Sequence, residues 1–468
     1  MRKYIWIFIA SLAIPTMLSC SADETTEERL TSGAIGFSPL INHNASGKST
    51  TRSSGTASII NTADGVASDV FNGFYVWGYI MSSDNSVRQN VAYLYRDSGS
   101  ETANGVPIAK APSGSSFIGT GWGTESNSYR YGYVTQNDLK YWPREQMEFF
   151  ALGPIGNEAK SIYTEGHTND VSNLSTALTT TRPTGSKYSF TYTAEADNGA
   201  TAADLSKHVD IVYATKRQTG RIGSSNVDLS FKHALSQVLF KGVVAAGQPG
   251  LTVLIKSVKL CNVNTQANFT VTIPGTGTGE GQNEDGSTNT MTLTNDANNA
   301  IVSSVNGSYT LTPPENATSI ELTSGADATI GEAKNLTNPI LLIPQIHNAW
   351  KTGTKATADT GGSETTYLAI ECAIFQVAGV PIVGQAYSES ADGRIQSGSY
   401  YYSTETVYAK LVSGDATTIT WQPGYSYVYN LNFGVGLNES GNPISTPITF
   451  TVTSVAGWTS GGTPEVPL

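Results

Sequence analysis

The sequence predicts an all-β protein made of two tandem β-sandwich domains, and three observations carry that reading. Short runs of β-branched and aromatic residues recur along the 468 residues with Gly, Pro, Asn and Ser between them. No helical period of comparable length competes with them. The composition, with 47 Gly, 23 Tyr and only 14% charged residues, is poor in helix formers.

The chain opens with Arg2 and Lys3 ahead of an apolar run from Tyr4 to Leu18, too short to span a bilayer as an ordinary helix. Residues 1–19 therefore read as a signal peptide. Met17, Leu18 and Ser19 lead into Cys20 and resemble a lipobox, although Met17 stands where leucine is usual. Cys20 is the expected lipidated residue. Residues 20–33 form an acidic tether with Asp23, Glu24, Glu27 and Glu28. That stretch looks like the surface-export signal of Bacteroidota lipoproteins, and a plain solvated linker explains it equally well.

Strands are expected over Gly73 to Ile80, Val91 to Tyr95, Glu148 to Leu152, Tyr188 to Thr193 and Val209 to Tyr213. Further runs cover Val227 to Phe231, Val238 to Val244, Leu251 to Leu260, Phe269 to Ile273, Tyr309 to Leu311 and Ser319 to Leu322. The last are Ile340 to Ile343, Tyr367 to Val377, Val407 to Leu411, Tyr425 to Phe433 and Ile448 to Val452. Parallel crossovers would need helices, so antiparallel sandwiches fit best. The polar stretch Ala214 to Asn226 breaks the pattern and is the expected joint between a domain over 34–215 and one over 225–468. Pro274 to Asn298 and Gly353 to Thr366 read as long exposed loops.

Tyr425, Tyr427, Tyr429, Leu431 and Phe433 share one face by the two-residue period. A sugar-stacking platform and a core face both fit, and the aliphatic continuation favours core. Trp142, Trp421 and Trp458 read as plugs at sandwich ends. Cys261 and Cys372 permit one disulfide or two buried thiols, and a domain of this size needs no staple.

The formal net charge of −11 leaves no basic surface for nucleic acid and no polybasic membrane patch. His43, His167, His208, His233 and His347 have no metal-ligand spacing, so neither a metal nor another cofactor is expected. Gly47, Lys48 and Ser49 resemble the end of a phosphate loop but lack its leading glycine, and Gly275 to Gly281 lacks a following lysine and helix. There is no Gly-x-Ser-x-Gly elbow, and neither spare cysteine has a nucleophile context. A glycosidase carboxylate pair is not readable from sequence. No catalytic residue is assigned. His233 reads as a packed or hydrogen-bonded structural residue with no acid or nucleophile beside it.

Four blocks together resemble the fimbrillin-like family of Bacteroidota, subunits of type V pili. They are Phe74 to Tyr79; Tyr141, Trp142 and Pro143 with Met147 to Ala151; Asp210 to Ala214 with Val227 to Val238; and Ile343, Pro344 and Gln345 with Trp421, Pro423, Gly424, Tyr425 and Tyr427. The resemblance implies transthyretin-like sandwiches and a non-enzymatic lipoprotein held by lipid at the outer membrane, later polymerised into a fimbrium with a role in adhesion. It implies removal of an N-terminal strand by an arginine-specific protease, opening a groove that a strand from the next subunit fills. Ala34 to Leu40, with Ile35, Phe37 and Leu40, is the expected removable strand. Arg52 is the expected cleavage site, with Arg29 as the rival. Ile448, Phe450 and Val452 have the alternation of a donor strand, and an ordinary edge strand of the second sandwich fits them too. The implied partners are other pilin subunits, the protease, the outer membrane and a receptor on a host or bacterial surface. The alternative function is a surface glycan-binding lipoprotein.

Overall fold

The computed structural model describes residues 34–41, 73–81, 88–94, 105–111, 130–133, 136–143, 145–155, 178–180, 187–199, 201–205, 208–219, 226–272, 290–294, 306–311, 313–314, 317–348, 366–411, 418–434, 436–437, 443–444, 449–453 and 459–460. Cys20, Arg29, Arg52, Ile448 and Trp458 lie outside the described residues. The protein is all-β.

The first strands in chain order are β1 (Phe37–Ile41), β2 (Gly73–Met81), β3 (Arg88–Leu94), β4 (Val106–Ala111), β5 (Arg130–Tyr133) and β6 (Gln146–Gly153). β7 (Leu178–Thr180), β8 (Lys187–Thr193), β9 (Val212–Thr219) and β10 (Val227–His233) follow. Next come β11 (Ser236–Val244), β12 (Thr252–Asn264), β13 (Gln266–Thr272), β14 (Thr290–Thr294), β15 (Asn306–Leu311) and β16 (Ile320–Thr323). β17 (Lys334–Asn335), β18 (Ile340–Leu342), β19 (Ile346–Asn348), β20 (Tyr367–Val377) and β21 (Val380–Val383) continue the chain. A small excursion holds β22 (Gln385–Tyr387), β23 (Ile395–Ser397) and β24 (Tyr400–Ser403). The last are β25 (Glu405–Lys410), β26 (Thr418–Thr420), β27 (Tyr425–Phe433), β28 (Gly436–Leu437), β29 (Pro443–Ile444), β30 (Thr449–Thr453) and β31 (Thr459–Ser460).

The first sheet has the order β1-β10-β9-β6-β2-β4-β5, with β3 also on β2. Its central strands are buried on both faces, which is why β6 reads as a continuous apolar run instead of an alternating one. Phe74, Val76, Met147 and Phe149 enter one core, while Trp77, Tyr79, Phe150 and Leu152 enter a second. Glu148 sits within that run, and its directly opposite neighbour on β9 is Arg217. The guanidinium donates two hydrogen bonds to one carboxylate oxygen, from Nε at 2.8 Å and Nη2 at 2.7 Å. Such a charge-assisted contact lets two charges stay buried in the sheet.

The first half of the expected joint, Ala214 to Thr219, belongs to β9, and β9 and β10 are antiparallel neighbours in one sheet. The chain leaves that sheet at Ala234 and Leu235. There the Ala234 N–H donates to the Ile211 carbonyl at 2.8 Å and the Gly424 N–H donates to the Leu235 carbonyl at 2.9 Å.

The second core is continuous from the outer face of the first sheet through a four-stranded sheet, β14-β13-β8-β7, into two six-stranded sheets. β14 pairs along its length with β13, so the segment expected as the loop Pro274 to Asn298 contains a strand. One six-stranded sheet runs β17-β11-β27-β30, with β18 on β11 and β31 on β27; the other runs β15-β12-β20-β21, with β16 and β25 at its sides. β11 and β27 are parallel over eight register pairs, from Gln237 opposite Ser426 to Val244 opposite Phe433. The sheets approach closely at Gly242, where a Cβ would meet the Leu322 side chain at 2.7 Å and that of Leu336 at 2.8 Å. Cys261 and Cys372 are free and buried. Cys261 lies opposite Tyr367, whereas Cys372 lies opposite Ile255, so they are separated by ~20 Å of β12, too far for a disulfide.

Candidate strand-exchange sites

From Ala34 to Ser38 the sequence alternates in the manner of a half-buried strand, and Ile35 and Phe37 are buried. β1 pairs with β10 in parallel, from Phe37 opposite Val227 to Ile41 opposite Phe231. It ends the sheet order, and its other flank is held by the opposite end of the same sheet. Ala34 bridges Tyr141, the Ile35 N–H donates to the Lys140 carbonyl at 2.9 Å, and the Tyr133 hydroxyl on β5 donates to the Ile35 carbonyl at 2.9 Å. Burial pushes the Tyr133 phenol well above its ordinary pKa, so it remains a hydrogen-bond donor across the physiological range.

Phe37 is the key of this arrangement. Its ring meets Phe74 at 6.0 Å, Tyr133 at 6.1 Å and Phe149 at 5.9 Å, each edge-on. Burying Ile35 and Phe37 contributes together ~3–6 kcal/mol. Taking β1 away would open a slot lined by those three rings and would strip the backbone partners from the outer edge of β10.

At the other end of the chain, β30 pairs antiparallel with β27 and ends that side of its sheet among the described residues. Phe450 is opposite Leu431 and Val452 is opposite Tyr429. The expected donor segment thus has the position of an edge strand in its own sheet.

The aromatic row of β27 is core. Tyr427, Tyr429, Leu431 and Phe433 are buried, with Tyr425 packed against them. The Trp421 indole N–H donates to the Tyr429 hydroxyl at 2.7 Å, and the Gln422 N–H to the Tyr427 hydroxyl at 2.8 Å. These contacts consume the polar tips that a sugar platform would present. Trp142 and Trp421 are buried as the plug reading requires.

Two histidines illustrate what the remaining polar groups do. His233 Nδ1 lies 3.0 Å from Asp210 Oδ1. The sequence reading missed this acid, although both residues belong to one block. The pair ties the end of β10 to the segment entering β9. The Thr366 hydroxyl donates to the Asn262 carbonyl at 2.8 Å and accepts from His347 Nδ1 at 2.8 Å. Burial pushes the His347 imidazole down to about 3. Among the described residues no group of three or more His, Cys, Asp or Glu side chains could hold a metal ion. No helix among them is long and apolar enough to cross a membrane.

The sequence located β1 but not what secures it. Tyr133 and the backbone of Lys140 and Tyr141 lie about a hundred residues downstream, and the only available signal was the Tyr141-Trp142-Pro143 block.

A fimbrillin-like family profile matches residues 96–458 of the chain, which defines its class as that of fimbrial structural proteins. Solved structures similar to it include a fimbrial protein from Bacteroides vulgatus, 14% identical, covering 91% of this chain and 100% of the other with a TM-score of 0.44. Another is the tip fimbrial protein Mfa3 from Porphyromonas gingivalis with C-terminal truncation, 11% identical, covering 82% and 94% with a TM-score of 0.29. No curated protein matches significantly. With the profile spanning well over half its length, this chain belongs to the fimbrillin-like family. Membership implies a subunit of a cell-surface fimbrium that assembles with other pilin subunits.

Proposed function

We propose that this chain is a pilus subunit exported as a lipoprotein and polymerised by exchange of β1 for a strand of a neighbouring subunit. Cys20 carries the lipid that holds the precursor to the outer membrane. An arginine-specific protease cuts after Arg52, and β1 leaves together with the lipid; a cut at the alternative, Arg29, would free the lipid and leave β1 in place. The emptied slot receives the C-terminal segment of another subunit, and the finished fimbrium adheres to a receptor on a host or bacterial surface.

The observation that carries this reading is the placement of β1: a parallel edge strand whose Phe37 fills a pocket of three aromatic rings. The donor segment repeats its spacing. Ile35-Gly36-Phe37 and Ile448-Thr449-Phe450 are both Ile-x-Phe, so the same alternate side chains can key into the same slot. Filling it restores the backbone bonds of β10 and re-covers the rings, which drives assembly without an external energy source.

The test is to incubate purified precursor with an arginine-specific protease and examine the products in detergent without strong heating. Ladders of multimers are expected, and they should vanish when Ile448 to Leu468 is deleted. Persistent monomer after a clean cut would refute the proposal.

A further inference from the structure

Among the described residues, the large hydrophobic side chains left exposed are Tyr141, Ile330, Val377, Val380 and Tyr400. Four of them gather at one pole of the second sandwich. This is the end where β11 and β27 finish together at Val244 and Phe433, and where β12 begins, with Thr252 opposite both Thr323 and Phe375. Val377 and Val380 are cross-strand partners at the tip of the β20–β21 hairpin, each 63% exposed. The Tyr400 ring lies over the turn between them, since a Cβ on Gly379 would come within 2.8 Å of it. Ile330, 60% exposed, adjoins Gly331, whose N–H donates to the Val244 carbonyl. A cluster of this kind on a rigid hairpin and turn marks an interaction surface.

Topology states what covers it. β27 leaves its sheet at this pole, and β30 re-enters at the same pole, with Thr449 opposite Asn432. The donor segment is therefore rooted here, and a subunit that accepts it must sit against this end. The fifth exposed hydrophobic, Tyr141, lies where an accepting subunit would be met. It bridges Ala34 at the end of the first sheet where β1 and β10 begin, away from the passage at Ala234. Contact between two different surfaces of identical chains is heterologous, and it extends into an open filament wherever the rotation between copies does not close a ring.

We propose that the Ile330, Val377, Val380 and Tyr400 pole of one copy docks on the Tyr141 end of the next, beside the slot that takes its strand. This inference rests on the strand-exchange reading above and adds a second, non-covalent contact to it.

The test uses chains carrying Val380→Cys, Tyr141→Cys or both, polymerised after arginine-specific cleavage and treated with a short flexible bismaleimide. Cys261 and Cys372 are buried and stay silent. Covalent ladders are expected from the double variant and covalent dimers from a mixture of the two single variants. Filaments that give no cross-link, or ladders from Val380→Cys alone, would overturn the docking while leaving strand exchange intact. An unmodified chain that never forms filaments would overturn both. As a second measurement, Val377→Lys with Val380→Lys should slow filament growth about tenfold or more at unchanged subunit melting. Growth at the unmodified rate would also overturn the docking.

Discussion

Replacing Phe37 by alanine should destabilise the uncleaved chain by about 3 kcal/mol. A buried Phe→Ala change costs ~3–5 kcal/mol, and an edge strand can shift into part of the space, which places this site at the lower end. Phe37 is only 3% exposed and loses edge-on contacts with Phe74, Tyr133 and Phe149, each of which adds up to about 1 kcal/mol beyond area. The first core is a cluster separate from the continuous second one. The loss should therefore appear in the unfolding of the N-terminal sheet, read by urea titration with hydrogen exchange at β2, β6 and β10. Phe37→Leu, which retains most of the volume, should cost about 1 kcal/mol. A loss below about 1 kcal/mol for the alanine variant would mean that Phe37 does not key β1 into the sheet.

Glu148→Gln leaves Arg217 buried without its carboxylate and should cost about 3 kcal/mol in urea unfolding, whereas Glu148→Leu with Arg217→Leu should recover most of it. Burial lowers the pKa of His347 to about 3 and shifts His208 in the same direction, so the unfolded chain binds protons that the folded chain refuses. Stability is thus full above about pH 6.5 and falls below it by about 1.4 kcal/mol per unit from His347 alone, with His208 adding to the fall; His347→Gln should flatten that slope in a series of urea midpoints. Burial pushes the Cys372 thiol up to about 12 and raises that of Cys261, so neither should react with a thiol reagent until denaturant is added. Fast labelling of Cys261 or Cys372 in the native chain would contradict the burial of β12 and β20.

The strands legible in the sequence were those that carry their own apolar pattern. Tyr367–Val377 and Tyr425–Phe433 have the bounds the pattern assigned them, because both run through the second core. β4, β5, β14 and the small sheet of β22, β24 and β23 escaped the reading. They are short, three to six residues each, and hold few large aliphatic side chains among small and polar ones, so pairing with a neighbour defines them more than a pattern of their own. Lys216 and Arg217 looked like linker residues for a related reason. The partner that allows Arg217 to lie in a strand is Glu148, on a different strand. Most opaque were the parallel pairings of β1 with β10 and of β11 with β27, since a strand's pattern says which face is buried but not which distant strand lies beside it. For the exchange sites, the sequence therefore supplied the strand Ala34 to Leu40 and its Ile-x-Phe spacing. The receiving slot, made by Phe74, Phe149 and Tyr133, came only with the fold.

The central claim is that β1 is a strand the protein gives up and replaces, and amide hydrogen exchange along β10 tests it most directly. The alternate amides of Val227, Leu229 and Phe231, which face β1, should be protected in the precursor, exchange rapidly in the cleaved subunit before polymerisation, and regain protection in filaments. Protection that persists after cleavage in an unpolymerised subunit, or filaments in which β10 still exchanges freely, would contradict the account.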